Sequence, residues 1–338
     1  MMSQTRFPEG YEPQGGLSLF ETQAAISFVK DTFEKHLCDA LSLTRVSAPL
    51  FVECNTGLND DLNGVERAVR FDIRAAGKDA EVVHSLAKWK REALWRYGFP
   101  VGQGLYTDMN AIRRDEDLDN LHSVYVDQWD WEKILPENAR TEEYLEKTVS
   151  LICEAVYQTH LALKARHPEI PTQLTREVTF VTSEELCRRY PDLSPKEREN
   201  SVCREHKTVF IRGIGHVLSD GKPHDGRAPD YDDWNLNGDL LYWFEPLQCA
   251  LEISSMGIRV NADSMRAQLV LADREDRAEL PFHTRVLDGT LPDTMGGGIG
   301  QSRLCMLLMN KAHVGEVQSS VWDDETIAAA NAAGVTLL

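Results

Sequence analysis

Apolar residues near the start of the chain recur at intervals of three and four positions. This spacing places them on one face of a helix, and it predicts an amphipathic α-helix that buries Ile26, Val29, Phe33, Leu37 and Leu41. A period of two follows at Val69, Phe71 and Ile73, which alternate with charged or polar residues. Alternation of this kind is typical of a half-buried β-strand.

The rest of the pattern predicts long strands in hairpins, with helices outside them. Helices are predicted over 88–97, 141–166 and 302–310, and another begins where Ser194, Pro195 and Glu197 form a capping box. Further strands are predicted over 45–53, 81–85, 105–112, 122–131, 208–214, 239–243 and 251–260. These elements indicate an α+β fold around a central, mainly antiparallel β-sheet flanked by helices.

Composition narrows the classes of protein that fit. The chain has 338 residues, 42% of them hydrophobic, which is enough for one large core or two modest domains. No apolar run approaches the roughly 20 residues that span a bilayer. Residues 1–16 are polar and rich in Gly and Pro, unlike a signal peptide or an anchor. We therefore expect a cytoplasmic protein with no membrane partner.

Charge and cysteine usage exclude two further classes. The formal net charge is −18, and a protein that holds nucleic acid needs a basic surface, so we expect no nucleic-acid partner. The seven cysteines lie singly between Cys38 and Cys305, with no Cys-x-x-Cys pair. That distribution is typical of reduced thiols rather than of a disulfide framework or a zinc site.

The first candidate site lies at the hairpin of strands 105–112 and 122–131. Arg113 ends the first strand, where its guanidinium fork can hold a phosphate or a carboxylate. Alternate positions of the second strand share one face and carry His122, Val124, Val126, Gln128 and Asp130. A face with His, Gln and Asp predicts a polar ligand above the sheet. The alternative is a charged hairpin tip.

A glycine-rich run from Gly296 to Gly300 precedes the helix that contains Arg303. Glycines allow close approach of a nucleotide, and a helix N-terminus favours anions. Arg303 in the first turn opposes the helix dipole, so we expect it to have an anionic partner. The spacing matches neither a P-loop nor a dinucleotide-binding motif. A tight structural turn is the alternative.

A pair of carboxylates forms the third candidate. If strands 239–243 and 250–254 fold as a hairpin, Asp239 lies near Glu252, as a site for Mg²⁺ requires. A solvated acidic face is the alternative. A fourth cluster, 225–234, is polar without the spacing of a calcium loop, and its composition favours an ordinary surface loop.

Together these segments resemble a known enzyme family. Arginine, acidic loop and strand, followed by glycines, arginine and helix, resemble two motifs of class II aminoacyl-tRNA synthetases of the aspartate and asparagine branch. Closer still is the ammonia-dependent aspartate–ammonia ligase family. Its motifs are matched by the segments 84–91, 122–132, 236–239, 252–260 and 296–304.

The resemblance implies a class II synthetase-like catalytic core that converts L-aspartate, ammonia and ATP into L-asparagine. The expected intermediate is a β-aspartyl adenylate, with AMP and pyrophosphate released. By similarity, Arg113 would hold the α-phosphate, and Asp239 with Glu252 would hold Mg²⁺. The remaining residues implied for ATP are Leu121, His122, Val126 and Arg303. Those implied for the amino acid or for ammonia are Lys90, Gln128, Ser255, Arg259, Asp60, Asp130 and Asp232, with Asp60 and Asp232 as catalytic candidates.

The resemblance also implies an organisation and an assembly. Residues 1–20 would be a flexible N-terminal extension, and residues 21–338 a single catalytic domain. Residues 45–51 resemble the dimerisation motif of class II synthetases, so we expect a homodimer. Position 2 is Met and no cysteine lies in a Gly-x-Cys-x-Gly elbow, so we expect free ammonia rather than glutamine as the nitrogen donor.

Two other functions compete with this hypothesis. One is a class II aminoacyl-tRNA synthetase paralogue that charges another acceptor, although the matched motifs fill the chain. The other is a non-catalytic module that senses an amino acid. Such a module would be expected to have lost its ATP-handling residues, whereas Arg113, Glu252 and Arg303 are all present.

Overall fold

A computed structural model describes residues 5–13, 16–60, 62 and 66–338. Within this part of the chain, eight strands form one sheet in the order β1-β5-β6-β11-β10-β9-β8-β7. The pairs β1–β5 and β7–β8 at its two edges are parallel, and the others are antiparallel. Three more strands form a small antiparallel sheet in the order β2-β4-β3. The strands are β1 (Leu43–Arg45), β2 (Phe51–Glu53), β3 (Arg70–Ile73), β4 (Lys78–Val82), β5 (Gly104–Ile112), β6 (Tyr125–Ile134), β7 (Thr179–Thr182), β8 (Thr208–Arg212), β9 (Asp232–Phe244), β10 (Cys249–Arg259) and β11 (Thr294–Gly300).

Helices cover the large sheet, and the predicted α+β fold is confirmed. The helices are α1 (Leu19–Leu41), α2 (Ala87–Arg96), α3 (Glu142–Arg166), α4 (Ser183–Arg189), α5 (Pro195–His206), α6 (Ala262–Leu271), α7 (Pro281–Leu287), α8 (Gln301–Met309) and α9 (Asp324–Ala332), with short 3₁₀ turns at Glu275–Glu279 and Val314–Glu316. None of the helices in the described ranges has the length and hydrophobicity that a bilayer crossing needs.

The main core forms where helices α1 and α3 pack against the central sheet. Helix α1 buries all five apolar positions that the spacing predicted, and a capping box between Ser18 and Glu21 fixes its first turn. Helices α1 and α3 pack side by side, and their apolar faces join Trp129 and Trp131 of β6 in the main cluster of buried residues. This packing holds the central strands β6, β11 and β10 in place, and one face of them forms the site described below.

Two predicted strands end or begin elsewhere. The segment 45–53 is interrupted: β1 ends at Arg45, and β2 belongs to the small sheet. Pro49 lies in this interruption, and it has no N–H to donate to a strand partner. His122 was expected on the second strand of the hairpin, but β6 begins at Tyr125. The carboxylate of Asp119 accepts the N–H groups of Leu121 and His122, which turns the chain before the strand starts.

The glycine run is itself a strand and not a tight turn, which was the alternative considered from the sequence. Residues Gly296 to Gly300 lie in β11, between β6 and β10. Of the predicted extension, residues 1–4, 14 and 15 lie outside the described residues, as do 61 and 63–65 of the domain. All seven cysteines are free, as expected from their spacing.

Candidate active site

A cleft of about 390 Å³ lies above the central strands. It is lined from several directions: by β6, β10 and β11, by the start of α2 and of α8, by the ends of the acidic loop, and by the segment 225–232. Every residue that the sequence proposed for the site lines this cleft except Asp239. The lining members are Asp60, Lys90, Arg113, Leu121, His122, Val126, Gln128, Asp130, Asp232, Glu252, Ser255, Arg259 and Arg303. Their individual roles remain predictions.

Arg113 leaves β5 at the mouth of the acidic loop, as predicted. Its backbone N–H donates to the carbonyl of Val124, which ties the loop to the strand that follows. One guanidinium nitrogen, Nη2, donates weakly to the carbonyl of His84 at 3.4 Å. Its Nε atom is buried and makes no hydrogen bond. Because an unpaired buried donor is costly, this geometry favours an anionic ligand at Arg113.

The glycines of β11 make room for side chains of the neighbouring strands. A Cβ atom at Gly298 would overlap the amide oxygen of Gln128, and one at Gly296 would overlap the carboxylate of Glu132. Gln128 therefore lies across the glycine strand and reaches the cleft. The run was expected to admit a nucleotide backbone closely, but here its immediate role is to admit protein side chains.

A fully buried network, which we call the Arg259 cluster, forms the floor of the cleft: Lys90, Asp130, Glu132, Asp232 and Arg259. Arg259 donates to both oxygens of Glu132, with Nη2 at 2.7 Å from Oε2, and it also pairs with Asp232. Lys90 pairs with Asp130 and donates to the carbonyl of Gly297 at 2.9 Å. Burial lowers the pKa of Lys90, although Asp130 opposes this effect. The cluster has two cations and three carboxylates, and Oδ2 of Asp130 is buried without a hydrogen-bond partner, which suits the ammonium group of a zwitterionic ligand.

Glu132 was missed as a site residue. It is completely buried, and the hydroxyl of Thr294 donates to its Oε1 at 2.6 Å. The signal was present in the sequence, since Gln128, Asp130 and Glu132 continue one period of two along β6. A third consecutive polar residue on an inward face indicates a buried charge partner, which is Arg259.

A second group, the Arg303 cluster, consists of Leu121, His122, Glu252 and Arg303. Arg303 donates to the carbonyl of Glu252 at 3.2 Å and lies 4.0 Å from its carboxylate, which is the anionic partner expected. Its Nε donates to the carbonyl of Leu121 at 3.4 Å. His122 is held by Asp119, 2.9 Å from its Nδ1. Both Glu252 and Arg303 are only half-buried, so this part of the cleft is open to a ligand.

The predicted hairpin of Asp239 and Glu252 forms between β9 and β10, where Asp239 pairs with Ser255 and Leu241 with Glu252. Asp239 lies behind the cleft wall and accepts from Arg227 Nη2 at 2.7 Å. Burial raises the pKa of Asp239 to about 7; Arg227 opposes the rise and Glu252 adds to it. Two carboxylates that repel each other fit a cation shared with substrate phosphates. Among the described residues, no cluster of three or more His, Cys, Asp or Glu could hold a metal by itself.

Comparison with known proteins identifies the family. The family model described as "Aspartate-ammonia ligase" matches residues 20–334. The chain belongs to the aspartate–ammonia ligase family. It is 56% identical to the aspartate–ammonia ligase of Lactobacillus johnsonii over 333 residues, with 98% of each chain covered. It is 58% identical to that of Lactobacillus acidophilus over 322 residues, with 95% of each covered. The resemblance noted in the sequence is thus confirmed.

The fold of this aspartate–ammonia ligase family member is that of class II synthetases. It is similar to an Entamoeba histolytica asparaginyl-tRNA synthetase in complex with asparaginyl-adenylate, with a TM-score of 0.66 and 14% identity, covering 89% of this chain and 66% of that one. It is similar also to the Pyrococcus horikoshii asparaginyl-tRNA synthetase complexed with asparaginyl-adenylate, with a TM-score of 0.65 and 15% identity, covering 88% and 68%. The chain thus spans about two thirds of the length of these synthetases.

The segment 225–234 of this family member corrects the prediction of an ordinary surface loop. Its residues Asp230, Asp232 and Asp233 are buried, and Arg227 lines the cleft. Arg227 donates to the hydroxyl of Ser255 at 2.6 Å as well as to Asp239, so it links both strands of the hairpin. Composition gave no signal for Arg227, because a polar segment looks alike whether its partners are water or distant side chains.

Asp230 explains how this loop is held over the cleft. Its Oδ2 accepts from Lys88 at 3.0 Å, from Arg277 at 2.8 Å and from His283 at 2.8 Å, and the side chain is completely buried. These partners come from α2, from the 3₁₀ turn at 275–279 and from α7. The adjacent residues Tyr231 and Asp232 are thereby fixed at the cleft wall.

Proposed function

We propose that this chain is an aspartate–ammonia ligase that converts L-aspartate, ammonia and ATP into L-asparagine, AMP and pyrophosphate. The carrying observation is that one cleft joins an arginine with an unpaired buried Nε, Arg113, to the Arg259 cluster and the Arg303 cluster. Arg113 suits a phosphate, the Arg259 cluster suits a zwitterionic amino acid, and the Arg303 cluster suits the rest of a nucleotide. Membership of the aspartate–ammonia ligase family supports the same substrates.

The reaction needs two steps, because a carboxylate has no leaving group that ammonia can displace. In the first step, a β-carboxylate oxygen of aspartate attacks the α-phosphorus of ATP, and pyrophosphate leaves. In the second, ammonia attacks the acyl carbon, AMP leaves with the bonding electron pair, and the nitrogen loses a proton. The protein orients the reactants and offsets the charge that develops. Arg113 has that role at the α-phosphate.

The Arg259 cluster is assigned to aspartate. Arg259 and Lys90 are cations that an α- or β-carboxylate can approach, and Gln128 offers an amide above Gly298. Asp130 and Asp232 are anions that can face the substrate ammonium. Asp60, Asp130 and Asp232 remain the candidates for orienting ammonia or accepting its proton, since all three are buried at the cleft. Ser255, held by Arg227, supports the nucleotide or a carboxylate.

Mg²⁺ is the proposed cofactor, with Asp239 and Glu252 as its protein ligands. When bound, Mg²⁺ would offset the negative charge of the triphosphate and favour departure of pyrophosphate. In the protein itself, Arg227 donates to the carboxylate of Asp239 at 2.7 Å, and Arg303 lies 4.0 Å from the carboxylate of Glu252. Burial is the main cause of the raised pKa of Asp239 and Glu252 adds to it, so a cation bound beside the two carboxylates would offset part of this cost.

A cytoplasmic homodimer is proposed as the working form. Free cysteines fit a reducing compartment. The proposed dimer surface includes residues 45–51 and the adjoining small sheet, where Leu50, Phe51 and Phe71 are exposed. The rings of Phe51 and Phe71 lie 5.0 Å apart, edge to face, on this surface. An exposed aromatic patch of this kind fits a subunit interface.

Product analysis tests the proposed function. Purified protein is incubated with ATP, Mg²⁺, aspartate and ammonium, and nucleotides and amino acids are separated. We expect asparagine and AMP in equal amounts. Formation of ADP and phosphate instead would contradict the adenylate mechanism. Formation of AMP that depended on added tRNA would favour a tRNA synthetase, and binding of aspartate without any turnover would favour a sensing module.

A further inference from the structure

The described N-terminal residues 5–13 pack against the body of the protein, in a region outside the family match at 20–334. Thr5 is buried, and its hydroxyl lies 3.4 Å from His313 Nε2 and 3.2 Å from the hydroxyl of Thr326. The ring of Phe7 stacks near His313 at 6.3 Å and near Tyr11 at 5.4 Å. We call residues 5–13 the N-terminal strap.

The hydrogen bonds of the strap have a consistent direction. The N–H of Gly315 donates to His313 Nδ1 at 3.0 Å, so the ring proton is on Nε2, which donates to Thr5. Thr5 can then donate to Thr326, whose hydroxyl donates to Asp323 at 2.7 Å. Burial lowers the pKa of His313 to about 4, which keeps the ring neutral in this chain of donors. Thr5 thus links the segment after α8 to the start of α9.

Asn120 is the second anchor of the strap. The backbone N–H of Arg6 donates to its side-chain oxygen at 2.7 Å, and its side-chain nitrogen donates to the carbonyl of Ala312 at 3.0 Å. The backbone carbonyl of Asn120 accepts from Val314 at 2.8 Å. Asn120 is buried, so both of its amide groups depend on these partners. The strap therefore joins segment 119–123 to segment 312–318.

These two segments form one side of the cleft at the Arg303 cluster. Leu121 and His122 follow Asn120 directly, and Val314 and Gln318 line the cleft from the other segment. Gln318 donates to the hydroxyl of Ser302 at 3.1 Å, next to Arg303. None of the strap residues lines the cleft itself. The strap therefore acts on a ligand only through the residues it contacts, among them Asn120 and His313.

We propose that the N-terminal strap positions the nucleotide-binding part of the cleft, by holding Asn120 and His313 so that Leu121, His122 and Arg303 face ATP. The inference rests on the proposed function for the assignment of the Arg303 cluster to ATP. The Arg259 cluster has no contact with the strap among the described residues, because its partners come from α2, β6, β9, β10 and β11. Loss of the strap anchors therefore affects ATP selectively and leaves aspartate binding intact.

Two substitutions remove one anchor each. Thr5→Val deletes the hydroxyl between His313 and Thr326, and Arg6→Pro deletes the N–H that Asn120 accepts. Removing one buried partner shifts an equilibrium by roughly 5- to 30-fold. We expect KM for ATP to rise by about that factor in each variant, with KM for aspartate and kcat within about twofold of the original protein. Thr5→Ser keeps the hydroxyl, so its KM for ATP should equal that of the original protein.

Glu9→Ala is the matched control, since Glu9 is exposed on the same strap. The variants are compared at equal folded fraction by circular dichroism, and ATP and aspartate are titrated separately in the AMP-release assay. A parallel rise in both KM values, or an unchanged KM for ATP in both Thr5→Val and Arg6→Pro, would overturn the inference. Failure of the proposed function can be distinguished from failure of this inference, because in the first case the unsubstituted protein releases no aspartate-dependent AMP. In that event, the affinity for ATP alone, measured by calorimetry in each variant, decides whether the strap positions the nucleotide site.

Discussion

Substitution of Asp230 by Asn should destabilise the protein more than any change at an exposed carboxylate. The asparagine keeps the shape of the side chain but removes the negative charge that Lys88, Arg277 and His283 share. Breaking a buried ion pair by removing one partner costs about 3–5 kcal/mol, since a buried cation is left without its counter-charge. That is a large part of the 5–15 kcal/mol that usually separates folded from unfolded protein.

Chemical and thermal denaturation of Asp230→Asn measure this loss. For a chain of this length, a loss of about 3–5 kcal/mol corresponds to a fall in Tm of about 4–7 °C. Asp72→Asn, at an exposed position of β3, is the control and should change stability by less than about 0.5 kcal/mol. In the double variant Asp230→Asn with Lys88→Met, the loss should be smaller than the sum of the two single losses, because the uncompensated cation has been removed as well.

The pH dependence of the same site has a defined sign. Burial by itself would raise the pKa of Asp230, but Lys88, His283 and Arg277 hold it well below its ordinary value. A carboxylate with a lowered pKa contributes stability that is fully present above the unfolded pKa, about 3.9, and that is lost as the pH falls towards the folded pKa. The stability difference between the original protein and Asp230→Asn should therefore shrink below about pH 4. A loss under about 1 kcal/mol at pH 7, or a difference that grows in acid, would refute the account of Asp230.

Three further predictions test the cleft and the assembly. Arg113→Ala should lower aspartate-dependent exchange of pyrophosphate into ATP by about 100- to 1000-fold, while aspartate still binds without ATP. Gln128→Ala should instead weaken aspartate binding and leave ATP binding unchanged. Calorimetry with each ligand checks both variants, and loss of aspartate binding in Arg113→Ala with exchange retained would show the assignment to be wrong. Gly298→Ala should displace Gln128 and raise KM for aspartate. The control is Gly289→Ala in the loop after α7, where φ is positive but a Cβ has open space, and its KM for aspartate should rise less. Equal KM values in the two variants would contradict the role of the glycine strand. Light scattering should give twice the chain mass of 38.2 kDa, and a monomer at micromolar concentration would contradict the proposed dimer.

Local patterns in the sequence determined much of this protein. Spacing at three and four residues specified the buried face of α1, and the capping box at Ser194 specified the start of α5. Alternation along β6 placed Gln128 and Asp130 at the cleft, because successive side chains of a strand point to opposite sides wherever the strand lies. These features depend on residues close together in the chain, so they can be predicted without knowing the fold. The motifs that resemble the aspartate–ammonia ligases are also local and could be recognised in the same way.

Only the tertiary structure decided which polar segments are buried. The segment 225–234 has the composition of a surface loop, yet Asp230 is buried because Lys88, Arg277 and His283 arrive from parts of the chain about 45 to 140 residues away. The glycine run is a strand paired between β6 and β10, and its glycines leave the space that Gln128 and Glu132 of β6 occupy. Residues 5–13 pack because His313 and Asn120 meet them from distant segments. In each case a buried polar group is stable only when its partners are present, and which distant residues become partners is set by the fold rather than by the local sequence.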